Sequence, residues 1–161
     1  MGRDADTGQI LASELTSNDV DDGSQVEVLL DQIAAPLASL VGDGAYDQAG
    51  IYSKVTKRHP EAHVIVSPRS TPVLSDIAEN TPNQRDRHLR TFDELGRIGW
   101  QTRSGYTRRA LAGSAISLLQ RVIGAGLRSR TKYRRVTEVA IAVHVLNRML
   151  ELGCPTSVRI R

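Results

Sequence analysis

The stretch that decides the fold predicted for this chain is LVGDGAYD, residues 40–47. A short apolar strand ends at Gly42, and Asp43 follows it between two glycines. Sites in α/β proteins gather at the carboxyl ends of buried strands, and flanking glycines let the backbone approach a phosphate or an ion. Because Mg²⁺ prefers hard oxygen ligands, Asp43 is a candidate metal ligand. The alternative is that Asp43 and Asp47 are turn residues and a helix cap.

Upstream of this stretch, the sequence predicts a hairpin and a helix. Asp6-Thr7-Gly8 is typical of a hairpin turn, since Gly tolerates positive φ beside turn-forming residues. The second arm of the hairpin is predicted at residues 9–15, and the first arm, residues 1–5, is so short that we expect it to be truncated. The helix is predicted at residues 25–40, and Pro36 is expected to kink it or end it early.

Downstream, apolar periodicity and turn residues predict one strand, four helices and two loops. In chain order these are a helix at 48–58, a buried strand at 62–66, a loop at 70–84, a helix at 85–95, a loop at 96–105, a helix at 106–123 and a helix at 131–152. The second loop holds the only tryptophan, Trp100, which we expect in the core rather than stacked on a base. Gly153 is predicted to cap the last helix, with Pro155 preventing its continuation. The order of strands and helices predicts an α/β fold, with helices flanking a small mixed sheet.

Length and composition indicate a soluble domain. The chain has 161 residues, of which 40% are hydrophobic, enough for one domain with a core of its own. No apolar run approaches the roughly 20 residues of a membrane span, and the start does not resemble a secretory signal. The single cysteine, Cys154, excludes an internal disulfide and a cysteine zinc site. The histidines have no partner at metal-ligand spacing, and structural or surface roles are favoured for all four: His59, His63, His88 and His144. A cytoplasmic location fits these features.

Charge is distributed unevenly along the chain. Residues 1–50 contain one basic residue, Arg3, against ten acidic residues, whereas residues 51–161 contain twenty basic residues against eight acidic ones. Arginine dominates the basic half, and it pairs with phosphate in a bidentate way that Lys cannot copy. A basic, arginine-rich half of this kind predicts that the protein has a nucleic-acid partner. The alternative is a solvated helix face in a chain whose codon usage favours Arg.

Several motifs in order resemble the insertion-sequence transposases of the DDE type, in the group that includes the insertion-sequence-five family. The run at residues 43–47 resembles their second catalytic motif. Further similarities cover nearly the whole chain: Asp6-Thr7-Gly8-Gln9-Ile10 with Leu15-Thr16, Asp19-Val20 and Asp22; Ser67-Pro68-Arg69; Trp100 with Gly105-Tyr106 and Arg108-Arg109; and Val145-Leu146-Asn147-Arg148-Met149 with Gly153 and Pro155. Each piece alone is weak, but the ordered set is highly specific.

This resemblance implies a ribonuclease-H-like fold and DNA transposition, in which three carboxylates hold two Mg²⁺ ions during attack on phosphate. Asp43 matches the second carboxylate. The strand that carries the first lies upstream of the hairpin in the family and is missing here, so neither Asp4 nor Asp6 is taken for it. The Glu of the third motif falls on Gly113, which offers no ligand, and its later basic position falls on Gln120. Glu138 lies on the following helix, and we favour a solvated surface role for it.

The resemblance also implies a domain organisation. Residues 1–161 are predicted to be a partial DDE catalytic domain that lacks its first strand or strands. Within it, residues 1–67 form the strand and helix core with the second Asp motif, residues 68–105 a loop-rich insertion, and residues 106–161 the C-terminal helices.

The function predicted is that of a truncated transposase without strand-transfer activity, with Mg²⁺ binding implied only by the family. The alternative is a DNA-binding or regulatory module that inhibits an intact transposase. An unrelated basic structural protein is a third hypothesis, which the ordered motifs disfavour. The expected partners are DNA, a second copy of the chain or an intact transposase, and no membrane. The candidate DNA contacts are Arg103, Tyr106, Arg108, Arg109, Arg128, Arg130, Lys132, Arg134 and Arg135.

Overall fold

A computed structural model of the chain describes residues 1–17, 19–69, 73–76, 78–124 and 126–153. In chain order its strands and helices are β1 (Gly2–Arg3), β2 (Ile10–Ala12), α1 (Val26–Asp31), β3 (Ser39–Gly42), α2 (Ala49–Arg58), β4 (His63–Val66), α3 (Gln84–Ser104), α4 (Ala110–Ile123) and α5 (Lys132–Leu152). Short 3-10 helices lie at Asp22–Gln25, Gly44–Tyr46 and Tyr106–Arg109. Within these described ranges, no helix is both long and apolar enough to span a bilayer.

Two compact units make up the chain. The first combines Met1–Thr16 with Leu111–Arg161, and the second is Ser17–Ala110. The mixed α/β class predicted from the sequence is confirmed. The strands, however, do not form one mixed sheet: the described residues contain two sheets of two strands each.

The core of the second unit lies between the parallel strands and the helices beside them. β3 and β4 pair in parallel over four residues each, with Ser39 opposite His63 and Gly42 opposite Val66. α2 connects them, as expected for neighbouring parallel strands. The buried core residues are apolar and come from α1, α2, the residue before β4 and β4 itself: Val26, Leu30, Ile51, Val55, Ala62, Val64 and Val66. The positions of β3, α2 and β4 were predicted to within one residue.

The helix predicted at residues 25–40 is much shorter in the structure. α1 ends at Asp31, and the residues around Pro36 are not helical. Proline removes a backbone donor and its ring clashes with the preceding turn, so a helix before it ends early. Ser39, which the prediction placed inside this helix, is instead the first residue of β3.

The loop predicted at residues 96–105 is helical. α3 runs from Gln84 to Ser104 and leaves helical geometry at Gly96, where φ is 67° and ψ is 179°. The helix resumes after this break, and Trp100 on its second part is completely buried. The Trp100 ring packs on Phe92, from before the break, and on Tyr106, with ring centroids 6.0 and 5.0 Å away respectively. The burial expected for Trp100 is therefore confirmed, although its position in a loop was wrong.

The start of α3 is fixed by the exposed side chain of Asn83 and the buried side chain of Asp86. Asn83 and Asp86 form a reciprocal capping box, and the fully buried Asp86 carboxylate also accepts hydrogen bonds from the backbone N–H and the hydroxyl of Ser75, at 2.9 and 2.7 Å. Burial raises the pKa of Asp86, but the hydrogen bonds from Ser75 and Asn83 outweigh it and lower the pKa overall. The Gln84 amide accepts from Val64 N at 2.9 Å and donates to Ala62 O at 3.0 Å, so it occupies the open edge of β4.

The first unit packs the predicted hairpin against two helices. β1 and β2 pair antiparallel around the turn that contains Asp6-Thr7-Gly8, which confirms the hairpin. Asn147 on α5 closes the other edge of β2: its amide accepts from Ile10 N at 2.8 Å and donates to Ile10 O at 2.9 Å. The buried residues between hairpin and helices are apolar: Ile10, Ala115, Leu119, Ala142 and Leu146. Gly153 ends α5 with a φ of 79°, as predicted. Pro155 and Cys154 lie outside the described residues.

The half-buried His88, hydrogen-bonded to Trp100, predicts that the stability of the fold depends on pH. Trp100 Nε1 donates to His88 Nδ1 at 3.1 Å, which requires an unprotonated Nδ1. Burial lowers the pKa of His88 below its ordinary 6.5. The unfolded chain therefore takes up this proton at a higher pH than the folded chain, and stability should fall as the pH drops below 6.5.

The measurement is the urea midpoint, followed by Trp100 fluorescence from neutral pH down to about pH 5, which lies above the range where Asp86 titrates. His88→Phe should flatten the dependence, whereas His144→Gln, at an exposed histidine on α5, should keep it. A midpoint of the original chain that does not change over this range would contradict the assignment.

Candidate functional site at the carboxyl end of the parallel strands

The candidate site is the turn of residues 43–47, which follows β3. Asp43 begins the 3-10 helix Gly44–Tyr46, and its Oδ1 accepts the backbone N–H of Ala45 at 3.0 Å. The preceding Gly42 packs closely against the Tyr46 ring: a Cβ there would lie 3.0 Å from the ring, which would have to move by a few tenths of an ångström. Asp43 thus lies at the carboxyl end of a strand, as the sequence predicts, and its side chain also caps the turn.

Arg109 supplies the positive charge nearest to Asp43. It lies 66 positions later in the chain, in the 3-10 helix Tyr106–Arg109, and its Nη2 donates to Asp43 Oδ2 at 3.0 Å. About half of each side chain is exposed, at 49% for Arg109 and 41% for Asp43. An ion pair with this exposure contributes at most about 1 kcal/mol, because water screens it.

Asp47, at the other end of the turn, is in a different environment. Its side chain is 1% exposed and receives two hydrogen bonds from Arg85 on α3, from Nε at 2.7 Å and from Nη2 at 3.2 Å. The backbone N–H of Arg69, three residues past β4, donates to Asp47 Oδ2 at 3.1 Å. The hydrogen bonds to Asp47 raise the pKa of Arg85. Removing one partner of a buried pair of this kind costs about 3–5 kcal/mol. Asp47 is therefore a structural residue, and the N-cap of α2 is Gln48 instead.

The side chain of Arg69 completes the surroundings of the turn. Its Nε donates to the carbonyl oxygen of Gly44 at 3.1 Å, and its Nη2 donates to that of Ala45 at 3.4 Å. Sequence reasoning noted Arg69 only as part of a Ser-Pro-Arg similarity and did not connect Arg85 with Asp47. The signal that could have found Arg69 is its position just after a second buried strand, next to the end of β3.

The groups that could act as metal ligands at this turn do not fit a pair of divalent ions. Mg²⁺ requires several hard oxygen ligands, and a two-metal site requires carboxylates between the ions. Here Arg109 and a backbone N–H hold the carboxylate of Asp43, Arg85 holds that of Asp47, and Arg69 holds two carbonyl oxygens. The described part of the chain contains no group of three His, Cys, Asp or Glu side chains arranged to hold a metal.

The residues predicted to stand at the third-motif positions lie on α4, in the first unit. Gly113 is exposed in the interior of this helix, and Gln120 is exposed further along it. Glu138 on α5 accepts the backbone N–H groups of Arg128 and Ser129, at 2.8 and 2.9 Å. These hydrogen bonds lower the pKa of Glu138. Glu138 therefore fixes the segment before α5, which is a structural role on the surface.

The predicted DNA contacts fall into two groups. The first is in the second unit, where the end of α3 and the following 3-10 helix bring together exposed arginines and the partly buried Tyr106 ring: Arg103, Tyr106, Arg108 and Arg109. The second is in the first unit, before and within the start of α5, and its members are all exposed: Arg128, Arg130, Lys132, Arg134 and Arg135. Arg135 also donates from Nε to Ser129 O at 2.9 Å.

The family model described as "Transposase DDE domain" matches residues 1–150 of the chain. This range includes the whole of the second unit and most of the first, with Asp43 and Gly113 among its residues. No solved structure matches the chain significantly.

Replacing Gly113 with Ala should stabilise the fold by about 0.5–1 kcal/mol, because glycine in a helix interior costs that much relative to alanine. A Cβ at Gly113 would have no atom within 4 Å. The measurement is the urea unfolding free energy. Gly105→Ala is the matched control: its Cβ would be equally free of contacts, but φ is 75°, so this variant should lose stability. A loss of stability in Gly113→Ala would show that the glycine is needed for the fold.

Proposed function

The chain belongs to the transposase DDE domain family, and we propose that it is a transposase-derived domain without strand-transfer activity. In the family, three carboxylates and two divalent ions carry out phosphoryl transfer on transposon-end DNA. The insertion-sequence-five-like group and a ribonuclease-H-like arrangement are part of this proposal, and they rest on the ordered motifs at residues 43–47, 67–69 and 105–109.

The observation that carries the proposed loss of activity is the pair of residues at the second and third motif positions. Asp43 is the one carboxylate that matches the family pattern, and Arg109 already holds one of its oxygens. Gly113, at the position of the Glu, has no side chain to offer. A site that acts as a unit loses orders of magnitude in rate when one member is absent, so Gly113 in place of the Glu supports the proposed loss of activity.

The alternative function is a DNA-binding or regulatory module that acts on an intact transposase. Two groups of exposed arginine and lysine side chains favour DNA binding, since guanidinium groups pair well with phosphate oxygens. Dominant inhibition of transposition by an intact enzyme, or co-purification with it, would separate this function from that of a merely inactive domain.

We expect no Mg²⁺-dependent cleavage or strand transfer by the chain on DNA that carries the ends of a related insertion sequence. The reason is the incomplete set of carboxylates. The measurement is a gel assay with labelled end DNA in Mg²⁺. The assay is repeated in Mn²⁺, which is more permissive in such assays. An intact relative is the positive control. Product that depends on the metal and disappears in Asp43→Asn would refute the loss of activity.

Binding of the chain to double-stranded DNA should be independent of sequence and should weaken by at least about tenfold between about 50 and 200 mM salt. Phosphate contacts release counterions, and this makes affinity fall steeply with salt. Fluorescence anisotropy with two unrelated duplexes measures both properties. An affinity that does not change with salt, or no binding at low salt, would refute DNA binding.

A further inference from the structure

Two guanidinium groups contact the same short turn from different parts of the chain. Arg69 donates to the carbonyl oxygens of Gly44 and Ala45, and Arg109 donates to the carboxylate of Asp43. A guanidinium has five N–H donors. Contacts between described residues use two donors of Arg69 and one of Arg109, and both residues are exposed. Within the described part of the chain, each therefore keeps guanidinium donors for a further acceptor.

Phosphate is the acceptor that these groups fit best. A phosphate and a carboxylate both present oxygen pairs that a guanidinium binds in the same planar geometry. Asp43 Oδ2 occupies one donor of Arg109, Nη2, which a phosphate oxygen could take instead. We propose that Arg69 and Arg109 form a binding site for a DNA backbone phosphate at residues 43–46, and that Asp43 competes with this phosphate for Arg109. This inference rests on the proposed DNA binding.

Exposure makes such competition feasible. The pair of Asp43 and Arg109 is about half exposed, so little free energy is lost when an incoming phosphate replaces the carboxylate. The charge of Asp43 also repels a phosphate that approaches Arg109. The buried pair of Asp47 and Arg85 is too costly to break, and it keeps the turn in place during the exchange.

The competition predicts that removing an acid strengthens DNA binding. Asp43→Asn keeps the shape of the side chain and an oxygen for the N–H of Ala45, but releases Arg109. In EDTA and at low salt, it should bind a labelled duplex of arbitrary sequence about two- to five-fold more tightly than the original chain. Fluorescence anisotropy measures the affinity, and circular dichroism verifies the fold.

A matched control variant separates this effect on DNA affinity from the effect of the change in net charge. Asp31 on α1 forms another partly exposed ion pair, with Arg58 at the far end of α2 from the turn. Asp31→Asn makes the same change in net charge, and its affinity should change by less than about twofold. If Asp43→Asn gains no more than Asp31→Asn, the competition is refuted, even when the original chain binds DNA.

The two arginines are tested separately. Arg109→Gln should weaken binding several-fold, and adding Asp43→Asn to it should give no more than the change of less than about twofold expected for Asp31→Asn, because the released guanidinium is then absent. Arg69→Lys keeps the charge but not the fork that reaches two carbonyl oxygens, and it should also weaken binding. If the full gain from Asp43→Asn persists without Arg109, the site is refuted.

Mg²⁺ distinguishes the proposed site from a metal site. If Arg109 holds Asp43, millimolar Mg²⁺ should weaken DNA binding of the original chain and of Asp43→Asn to the same extent, through screening alone. Tighter binding in Mg²⁺ that is lost in Asp43→Asn would show that Asp43 binds the ion, and would overturn the proposal. Absence of DNA binding by all variants would refute the proposed DNA binding and this site together.

Discussion

The buried carboxylate of Asp47 joins three parts of the second unit that are far apart in sequence. It belongs to the turn after β3, it accepts the backbone N–H of Arg69 just past β4, and it pairs with Arg85 on α3. An acidic group with a side chain only 1% exposed is tolerable because a guanidinium and a backbone donor compensate its lost hydration. The positions of Asp43 and Arg69 relative to each other depend on this contact.

Side-chain amides form hydrogen bonds with the open edges of two short strands in this chain. Gln84 gives β4 both a donor and an acceptor at its open edge, and Asn147 does the same for Ile10 on β2. Each amide supplies the pair of hydrogen bonds that one residue of a further strand would supply. Open edges promote pairing with other chains, so these amides protect strands of only three or four residues.

Structural features that depend on residues close together in the sequence could be predicted from it. Glycine beside Asp43 and apolar runs identified β3 and β4, because these signals act over a few residues. Gly96 was misleading: glycine is a common helix end, but here burial of Trp100 against Phe92 makes the helix resume. The pairs that shape the candidate site could not be predicted, because they join residues 38 and 66 positions apart in a chain with many possible partners.

The two acids of one turn show how burial decides what a carboxylate can do. Asp47 is enclosed, so its partner is fixed and its contribution is to the fold. Asp43 is half exposed, so its partner is exchangeable, and the free energy that holds Arg109 is comparable to that of one solvated ion pair. A metal-binding acid needs other acids close by to make an ion more favourable than a guanidinium. In the described part of the chain, no group of three acidic, histidine or cysteine side chains is arranged to hold a metal, and the guanidinium of Arg109 is the counter-ion of Asp43.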